Sequence, residues 1–580
     1  MASTSVITDV RVAHVSFLPG ASHLTLQLRL HNDRKVFFRS ISEKLDRVRY
    51  RLQLLASNVS TQKKKRKNGV KDSVAPTVSV KFYDVYDQEM NEKVLKVGDA
   101  LMRAKRLEIG EEIFVVLHNQ PIVTSLKVLE PVMAGIGVYP LPKTEFCTAE
   151  ECSWQWFRLD KEDETSQTLV STERRYMPTE DEIGCRFCVK CQAPTMKSEF
   201  AQDSNTEVVT MPVESGPNRD VFKERRRMGA TSAAEKYSDV VDAFRVMSYN
   251  VLYDGYATTE HAQKNLFSYV DASVMKETRR IQLILQEIEE NNSDIVCLQE
   301  MGEHVYKSFF EPMLTLIGYR GFYSGKTGTT NEGCATFFRT ARFNVTEEVA
   351  VNLATVVKNS TNPASQHLMQ AFPEIAKGIN RIPSIAQILV LRSKVDPARI
   401  IILSNTHLFY RGDAHLIRLL QGAAVVECIS KRKAAPGFEN AAIVMCGDWN
   451  AHPRTALIAF LLDGQIDSSH SHWQQAPSFQ WNVSQVDEND VNKRVANAAQ
   501  VHSDRFEHDL QLVSACGIPA FTNYVMTFVD TLDYILVGSK VLQVRDTFPL
   551  FTEEEATHEL ALPSSTFPSD HVSLVCDLSW

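Results

Sequence analysis

Six short polar motifs stand out in the carboxyl-terminal half of the sequence. The apolar run 244–249 ends at Asn250, and the run 294–299 ends at Glu300. Run 399–404 leads into Asn405-Thr406-His407, and run 442–446 leads into Gly447-Asp448-Trp449-Asn450. Farther on come Leu532-Asp533-Tyr534-Ile535 and Ser569-Asp570-His571. The carboxylate and amide oxygens of Glu300, Asp448, Asn450 and Asn250 are hard donors that suit Mg²⁺, with Mn²⁺ able to substitute, and no thiol occupies a motif position. His407 and His571 add proton donors for a phosphoryl oxygen, and Asp533 could orient one imidazole. Hard-metal carboxylates with His donors suit attack of water on a phosphodiester. Hydride transfer and nucleotide-loop chemistry lack their signatures, since neither a Walker loop nor G-x-G-x-x-G is present.

One Glu after a strand is ordinarily a solvated turn residue, and a lone His is ordinarily a satisfied hydrogen-bonder. The joint pattern weighs more, because polar groups at the ends of several strands converge when those strands share one sheet edge. Short apolar runs alternate here with helical patterns at 275–290 and 415–431, which predicts one large α/β domain over 241–580. Upstream, alternation through residues 23–30 predicts a strand, and a helical stretch over 40–55 follows it. Residues 1–130 read as a small α+β domain with a basic loop at 60–72. Residues 131–213 read as a β-sandwich-like domain, and the polar stretch 214–240 as a partly helical linker. Cys185, Cys188 and Cys191 raise a zinc reading, but spacings of three alternate faces on a strand and form no paired C-x-x-C knuckles.

The 580 residues carry 63 basic and 71 acidic side chains, a net −8, with 44% apolar and 23% charged residues. These are globular values, which exclude wholesale disorder and a fibrous class. No apolar run approaches the roughly 18 residues of a membrane span. The first 20 residues lack a secretory pattern and contain only Arg11 as a basic group, and the eleven cysteines are scattered, which predicts reduced thiols and an intracellular address. Charge is uneven: residues 1–75 carry a local +10 and the rest −18. The densest basic run, Lys63-Lys64-Lys65-Arg66-Lys67, reads as a solvated loop, a phosphate-contacting arm or a nuclear address.

The order of motifs resembles the exonuclease–endonuclease–phosphatase superfamily: Ser-Tyr-Asn-Val-Leu (248–252), Leu-Gln-Glu (298–300), Asn-Thr-His-Leu (405–408), Gly-Asp-Trp-Asn (447–450), Leu-Asp-Tyr-Ile (532–535) and Ser-Asp-His (569–571). The likeness is greatest to its deadenylase branch, and residues 514–525 and 417–421 look most like the 2′-phosphodiesterases that degrade 2′,5′-oligoadenylate. The resemblance implies a four-layer α-β-β-α sandwich nuclease domain preceded by two smaller β-rich domains. It implies Mg²⁺ on Glu300, Asp448 and Asn450, with Asp448 holding or deprotonating the attacking water. His571 would contact the phosphate and pair with Asp533, while Asn250 and His407 complete the surroundings. Phe528 would stack a base, its alternative being an ordinary core Phe. Arg418 would face the substrate phosphates, its alternative being a surface Arg.

The expected substrate is single-stranded adenylate-rich RNA or 2′,5′-oligoadenylate, cut from its end to AMP. A 3′,5′ poly(A) deadenylase and a nocturnin-like 2′-phosphatase on a dinucleotide cofactor are the enzymatic alternatives, and a decayed RNA-binding adaptor the non-enzymatic one. The residues imply no membrane and no stable protein partner. The resemblance implies the mitochondrial matrix, with the cytosol as alternative, although no clear presequence is present.

Overall fold

The strand Ala442–Asp448 shows how the sequence builds the carboxyl-terminal half of the protein. Ala442, Val444 and Cys446 face one core, and Ile443 and Met445 face another. A strand buried on both faces must lie inside a layered structure. The computed structural model describes residues 11–31, 33–57, 78–90, 95–160, 166–194, 205–239, 242–475, 479–481 and 505–580. The basic run 63–67 lies outside them. The chain forms two compact units, Met1–Ser215 and Gly216–Trp580.

In the second unit two six-stranded sheets face each other. One runs in the order Tyr319–Gly325, Glu332–Arg339, Ile295–Gly302, Phe244–Asn250, Leu574–Ser579, Gln543–Thr547. The other runs Phe343–Asn352, Ile385–Ser393, Ile400–His407, Ala442–Asp448, Asp533–Gly538, Leu512–Ser514. Phe244, Val246, Ile295, Leu403, Val444, Ile535, Leu574 and Cys576 fill the gap between them. The amphipathic helix Glu277–Asn291 buries Ile281, Leu285 and Ile288. Outside the second sheet, the helices His415–Lys433 and Ala456–Asp463 share a core with Ile402, Ile443 and Met445. This is the α-β-β-α sandwich. No helix among the described residues is long and apolar enough to cross a membrane.

A polar layer crosses the apolar gap near one end. Gln299 Nε2 donates to Asn405 Oδ1 at 2.9 Å, and Asn405 Nδ2 donates to the carbonyls of Leu298 and Ala335, both at 3.1 Å. Thr336 Oγ1 donates to Gln387 Oε1 at 2.7 Å. Buried amides retained inside a sandwich need such mutual pairing.

The first unit contains two sheets. One has the order Asp33–Ser40, His23–Leu30, Arg11–Ser16, Glu112–His118, Arg106–Ile109, Val80–Tyr83, with the helices Leu45–Ala56 and Val97–Arg103 packed into its core. The other has four strands, Gln167–Ser171, Ser153–Leu159, Phe187–Gln192 and Asn205–Val209, around Trp154, Trp156 and Phe187. The hairpin Ile122–Lys127 with Leu141–Glu145 packs into that second core through Val123 and Leu126. The hydrophobic pattern therefore changes hands near residue 120, earlier than the boundary at 130 read from composition. The cysteines of the second core are free thiols.

The stretch read as a linker behaves differently from that expectation over 216–239. It is partly helical as expected, over Lys223–Gly229 and Ala233–Lys236, yet Arg225 is buried and donates to Ser573 Oγ at 2.7 Å and to the carbonyls of Ser573 and Pro549. Arg245, fully buried, collects the carbonyls of Met228 and Thr231 and pairs with Asp577 Oδ1 at 2.6 Å. Arginines look like linker residues in sequence, but here they satisfy buried carbonyls. Asp577→Ala should leave Arg245 buried without its counterion and cost about 3–5 kcal/mol, read as a lower urea midpoint. An unchanged midpoint would contradict the pairing.

Candidate active site

The strand ends bring the polar motifs together at one edge of the inter-sheet gap. Asn250, His407 and Asp448 close three strands, and Asp533 opens the antiparallel strand beside Asp448. The register pairs His407 with Asp448 and Asp448 with Asp533. Glu300 reaches the same edge through an irregularity between Leu298 and Met301, with φ at 56°. A left-handed Glu is costly and persists where its surroundings hold it; here the Tyr253 backbone N–H donates to its Oε2 at 2.8 Å. Asn450 has φ at 49°, a region that Asn tolerates better than most residues.

Asn250 Nδ2 donates to Glu300 Oε1 at 3.1 Å and to Asp448 Oδ2 at 2.9 Å, so one amide bridges the two acids. His407 Nε2 lies 3.9 Å from Glu300 Oε1 and 3.7 Å from Asp448 Oδ2. His571 Nε2 lies 3.8 Å from Asp448 Oδ2, while its Nδ1 bonds Asp533 Oδ2 at 2.7 Å. The Asn450 backbone N–H donates to Asp448 Oδ1 at 2.8 Å, and its side-chain Nδ2 donates to the Leu408 carbonyl at 3.0 Å. Its Oδ1 is the polar group left to it.

Burial, reinforced by Asp570 and Glu332, pushes Glu300 up to about 7. Burial and the neighbouring Asp533 push Asp448 up to about 7. His407 is held well below its usual range by burial, then by Lys326 and His571. Lys326 Nζ lies 3.1 Å from its Nδ1, and a lysine can only donate, so His407 carries its proton on Nε2, facing the acids. Burial alone would lower His571, but Asp533, Asp570 and Asp448 raise it well above its usual range. The two histidines are thus pushed in opposite directions within one site, His407 toward its neutral form and His571 toward its charged form.

The buried Asp448 and the largely buried Glu300 share one amide donor and repel each other, and a divalent cation would compensate them. Glu300, His407 and Asp448 each bring a polar atom within 4.8 Å of the others, as do Asp448, Asp533 and His571. With His407 protonated on Nε2 and His571 pushed toward its charged form, the ligand atoms left are carboxylate and amide oxygens with no thiol, which fits a hard cation.

Seven of the nine expected residues lie in this cluster: Asn250, Glu300, His407, Asp448, Asn450, Asp533 and His571. Phe528 is on the hairpin Asn523–Val525 with Phe528–Asp530, whose first residue bridges His571. It is 45% exposed, which excludes the core reading. Arg418 is a correction. Neither substrate-facing nor on the surface, it is buried and donates to the carbonyls of Phe409, Arg411 and Gly412. Burial lowers its pKa to about 10. Its helix is covered on that side by the loop after His407, so the guanidinium braces the loop. Lys326 and Glu332, 2.5 Å apart, were missed. Lys326 directly follows the strand Tyr319–Gly325, so it too stands at a strand end, where a search of strand ends would have found it.

Residues 247–571 match the Endonuclease/Exonuclease/phosphatase family, and residues 120–214 match the 2′,5′-phosphodiesterase 12-like N-terminal domain. The chain is similar to 2′,5′-phosphodiesterase 12 of Rattus norvegicus, 30% identical over 98% of this chain and 94% of that one. It is also similar to the CCR4-Not complex 3′-5′-exoribonuclease subunit Ccr4 of Schizosaccharomyces pombe, 26% identical over 58% of this chain and 49% of that one. Among solved structures, ANGEL2, a 2′,3′-cyclic phosphatase, is 25% identical over 58% of this chain and 96% of that one, with a TM-score of 0.46. A family match over more than half of the residues, together with a relative aligned nearly end to end, means that the chain belongs to the endonuclease/exonuclease/phosphatase family.

Proposed function

We propose that this protein is a Mg²⁺-dependent phosphodiesterase that removes AMP from the ends of single-stranded 2′,5′-linked oligoadenylate and 3′,5′-linked poly(A). The observation that carries the reading is the convergence on Asp448 Oδ2 of Asn250 at 2.9 Å, His407 at 3.7 Å and His571 at 3.8 Å, beside Glu300. Near end-to-end similarity to 2′,5′-phosphodiesterase 12 supports the 2′,5′ linkage, and similarity to a CCR4 exoribonuclease supports the 3′,5′ linkage. The latter alone favours the second reading, a deadenylase restricted to 3′,5′ ends. The mitochondrial address, with the cytosol as alternative, rests on family resemblance.

Glu300, Asp448 and the Asn450 carbonyl oxygen would hold the cation. When bound, the cation supplies Lewis-acid polarisation of the phosphate and a lowered pKa for water. Asp448, buried and shared between Asn250 and the histidines, accepts the proton of the attacking water. His571, kept charged and oriented by Asp533, donates from Nε2 to a phosphoryl oxygen as negative charge grows there. His407 keeps its Nε2 proton, fixed in that tautomer by Lys326, and offers it as a hydrogen bond to a phosphate oxygen while the water oxygen bonds phosphorus and the phosphorus–oxygen bond to the leaving ribose breaks. The exposed Phe528 ring offers a stacking surface for a single-stranded base, and a duplex cannot present its bases in this way.

Glu300→Gln should lower turnover by at least about 100-fold, on the scale of losses at metal-site residues. Its melting midpoint without metal should stay level or rise, since one repelling charge is gone. Normal turnover at saturating Mg²⁺ would remove Glu300 from the site. Matched 2′,5′ and 3′,5′ adenylate trimers should both release AMP, with all release stopped by a chelator and restored by Mg²⁺. Release from the 3′,5′ trimer alone would select the deadenylase reading. Phe528→Ala should raise KM by roughly 5- to 100-fold, the range that base stacking gives, with little change in kcat. An unchanged KM would assign the ring no substrate.

A further inference from the structure

The helix Leu45–Ala56 in the amino-terminal unit buries Leu45, Val48 and Leu52. At 100° per residue its opposite face carries Arg47, Tyr50 and Arg51, with Lys44 just before the first turn. All four are exposed, Tyr50 by 53%. Lys44 also forms an antiparallel bridge with the exposed Lys96. The Leu45 N–H donates to the Leu95 carbonyl at 2.9 Å and the Val97 N–H to the Glu43 carbonyl at 2.8 Å. That frame puts the two lysines in the non-hydrogen-bonded position, where Cα atoms approach to about 4.5 Å and side chains are closest.

Like charges directly opposite each other are destabilising, and Lys44 also stands at the positive end of a helix. Of the adjacent acids, Asp46 pairs with Arg49 at 3.2 Å and Glu43 with Arg39 at 4.0 Å, while the exposed Asp99 lies three residues beyond Lys96. Among the described residues, no ion pair reaches Lys44, Arg47, Arg51 or Lys96. This surface therefore presents four cations and one exposed tyrosine on and beside a single helix face, a pattern complementary to phosphates joined to stackable bases.

We propose that this face is a second nucleic-acid site, in which Lys44, Lys96, Arg47 and Arg51 contact backbone phosphates of single-stranded RNA and Tyr50 stacks on a base. The choice of RNA rests on the phosphodiesterase reading, because an enzyme acting at a chain end engages few nucleotides there and gains affinity for long substrates from a separate grip. The Lys63–Lys67 run is not needed for it.

The test is fluorescence anisotropy of a labelled 20-nucleotide oligoadenylate with the full chain in chelator, across a salt series. Replacing Arg47 and Arg51 together by Gln should weaken binding about tenfold at low salt. It should also lower the slope of log Kd against log salt by about 1.4, at about 0.7 per lost contact. Tyr50→Ala should weaken binding about fivefold or more without changing that slope. All three side chains are exposed, so melting midpoints should hold, and hydrolysis of the 2′,5′ adenylate trimer should stay within twofold. Unchanged binding and slope in both variants would overturn the proposal. So would preferential binding of phosphatidylserine vesicles through these residues, which would assign the face to a membrane. A wild-type chain that binds the long oligonucleotide through this face but cleaves no trimer would sink the activity reading and leave this one standing.

Discussion

The active-site cluster depends on side-chain parity. In the strands that meet at the site, alternate residues face the gap between the two sheets: Phe244 and Val246, Ile401 and Leu403, Val444 and Cys446, Ile535 and Val537. Continued along each strand, the same parity arrives at Asn250, His407, Asp448 and Asp533. The site is thus the last layer of the dry core, the place where the gap opens and the residues change from aliphatic to ionisable. This explains why burial pushes Glu300 and Asp448 up to about 7, since the walls that exclude solvent are the same sheets that carry them. The Gln299–Asn405 pair is the transition between the apolar core and the site, polar but uncharged, with both amide nitrogens hydrogen-bonded.

Much of this was legible in the sequence because strand parity and strand ends are local properties. The unbroken apolar run 442–446 marks a strand buried on both faces before any partner is known, and the polar residues that end it lie at the sheet's edge. Glu300 was legible by type and not by geometry. Gln299 takes the inward position by parity, and only the irregularity at 298–301 with a left-handed backbone turns Glu300 inward as well. Arg418 failed for the opposite reason. A helical Arg one turn from Gln421 reads as solvent-facing, and nothing in the helix records that the loop 408–412 folds back over it and presents three carbonyls. The stretch 216–239 failed alike, because long-range burial of Arg225 is set by Ser573, 348 positions away.

These errors share a physical cause. Arginine is the residue whose sequence appearance says least about its burial, since a guanidinium with five donors can satisfy several carbonyls without a counterion. Arg225, Arg245, Arg280 and Arg418 are all buried here, and each donates to backbone carbonyls from loops or from distant segments. Arg280, for example, donates to the carbonyls of Val251 and Leu252, directly after Asn250. Residues counted as surface charge are therefore in part internal fasteners, and two of them, Arg280 and Arg418, fix the loops that follow Asn250 and His407.

That redistribution bears on how an acidic body handles a polyanion. Residues 76–580 carry a formal −18, and although buried acids such as Glu287, Asp294, Asp533 and Asp577 outnumber the buried arginines among the described residues, the exposed surface remains acidic. Bulk attraction then opposes a phosphodiester chain, and screening at physiological salt, over about 8 Å, limits that opposition to close range. At close range the local charges decide: a cation held by Glu300 and Asp448 would offset the acids that face the phosphate, and the carboxylates around His571 favour its charged form. In the proposed phosphodiesterase, a site arranged in this way would hold the phosphate more tightly with the cation in place than without it, because the cation's charge outweighs that of the acids.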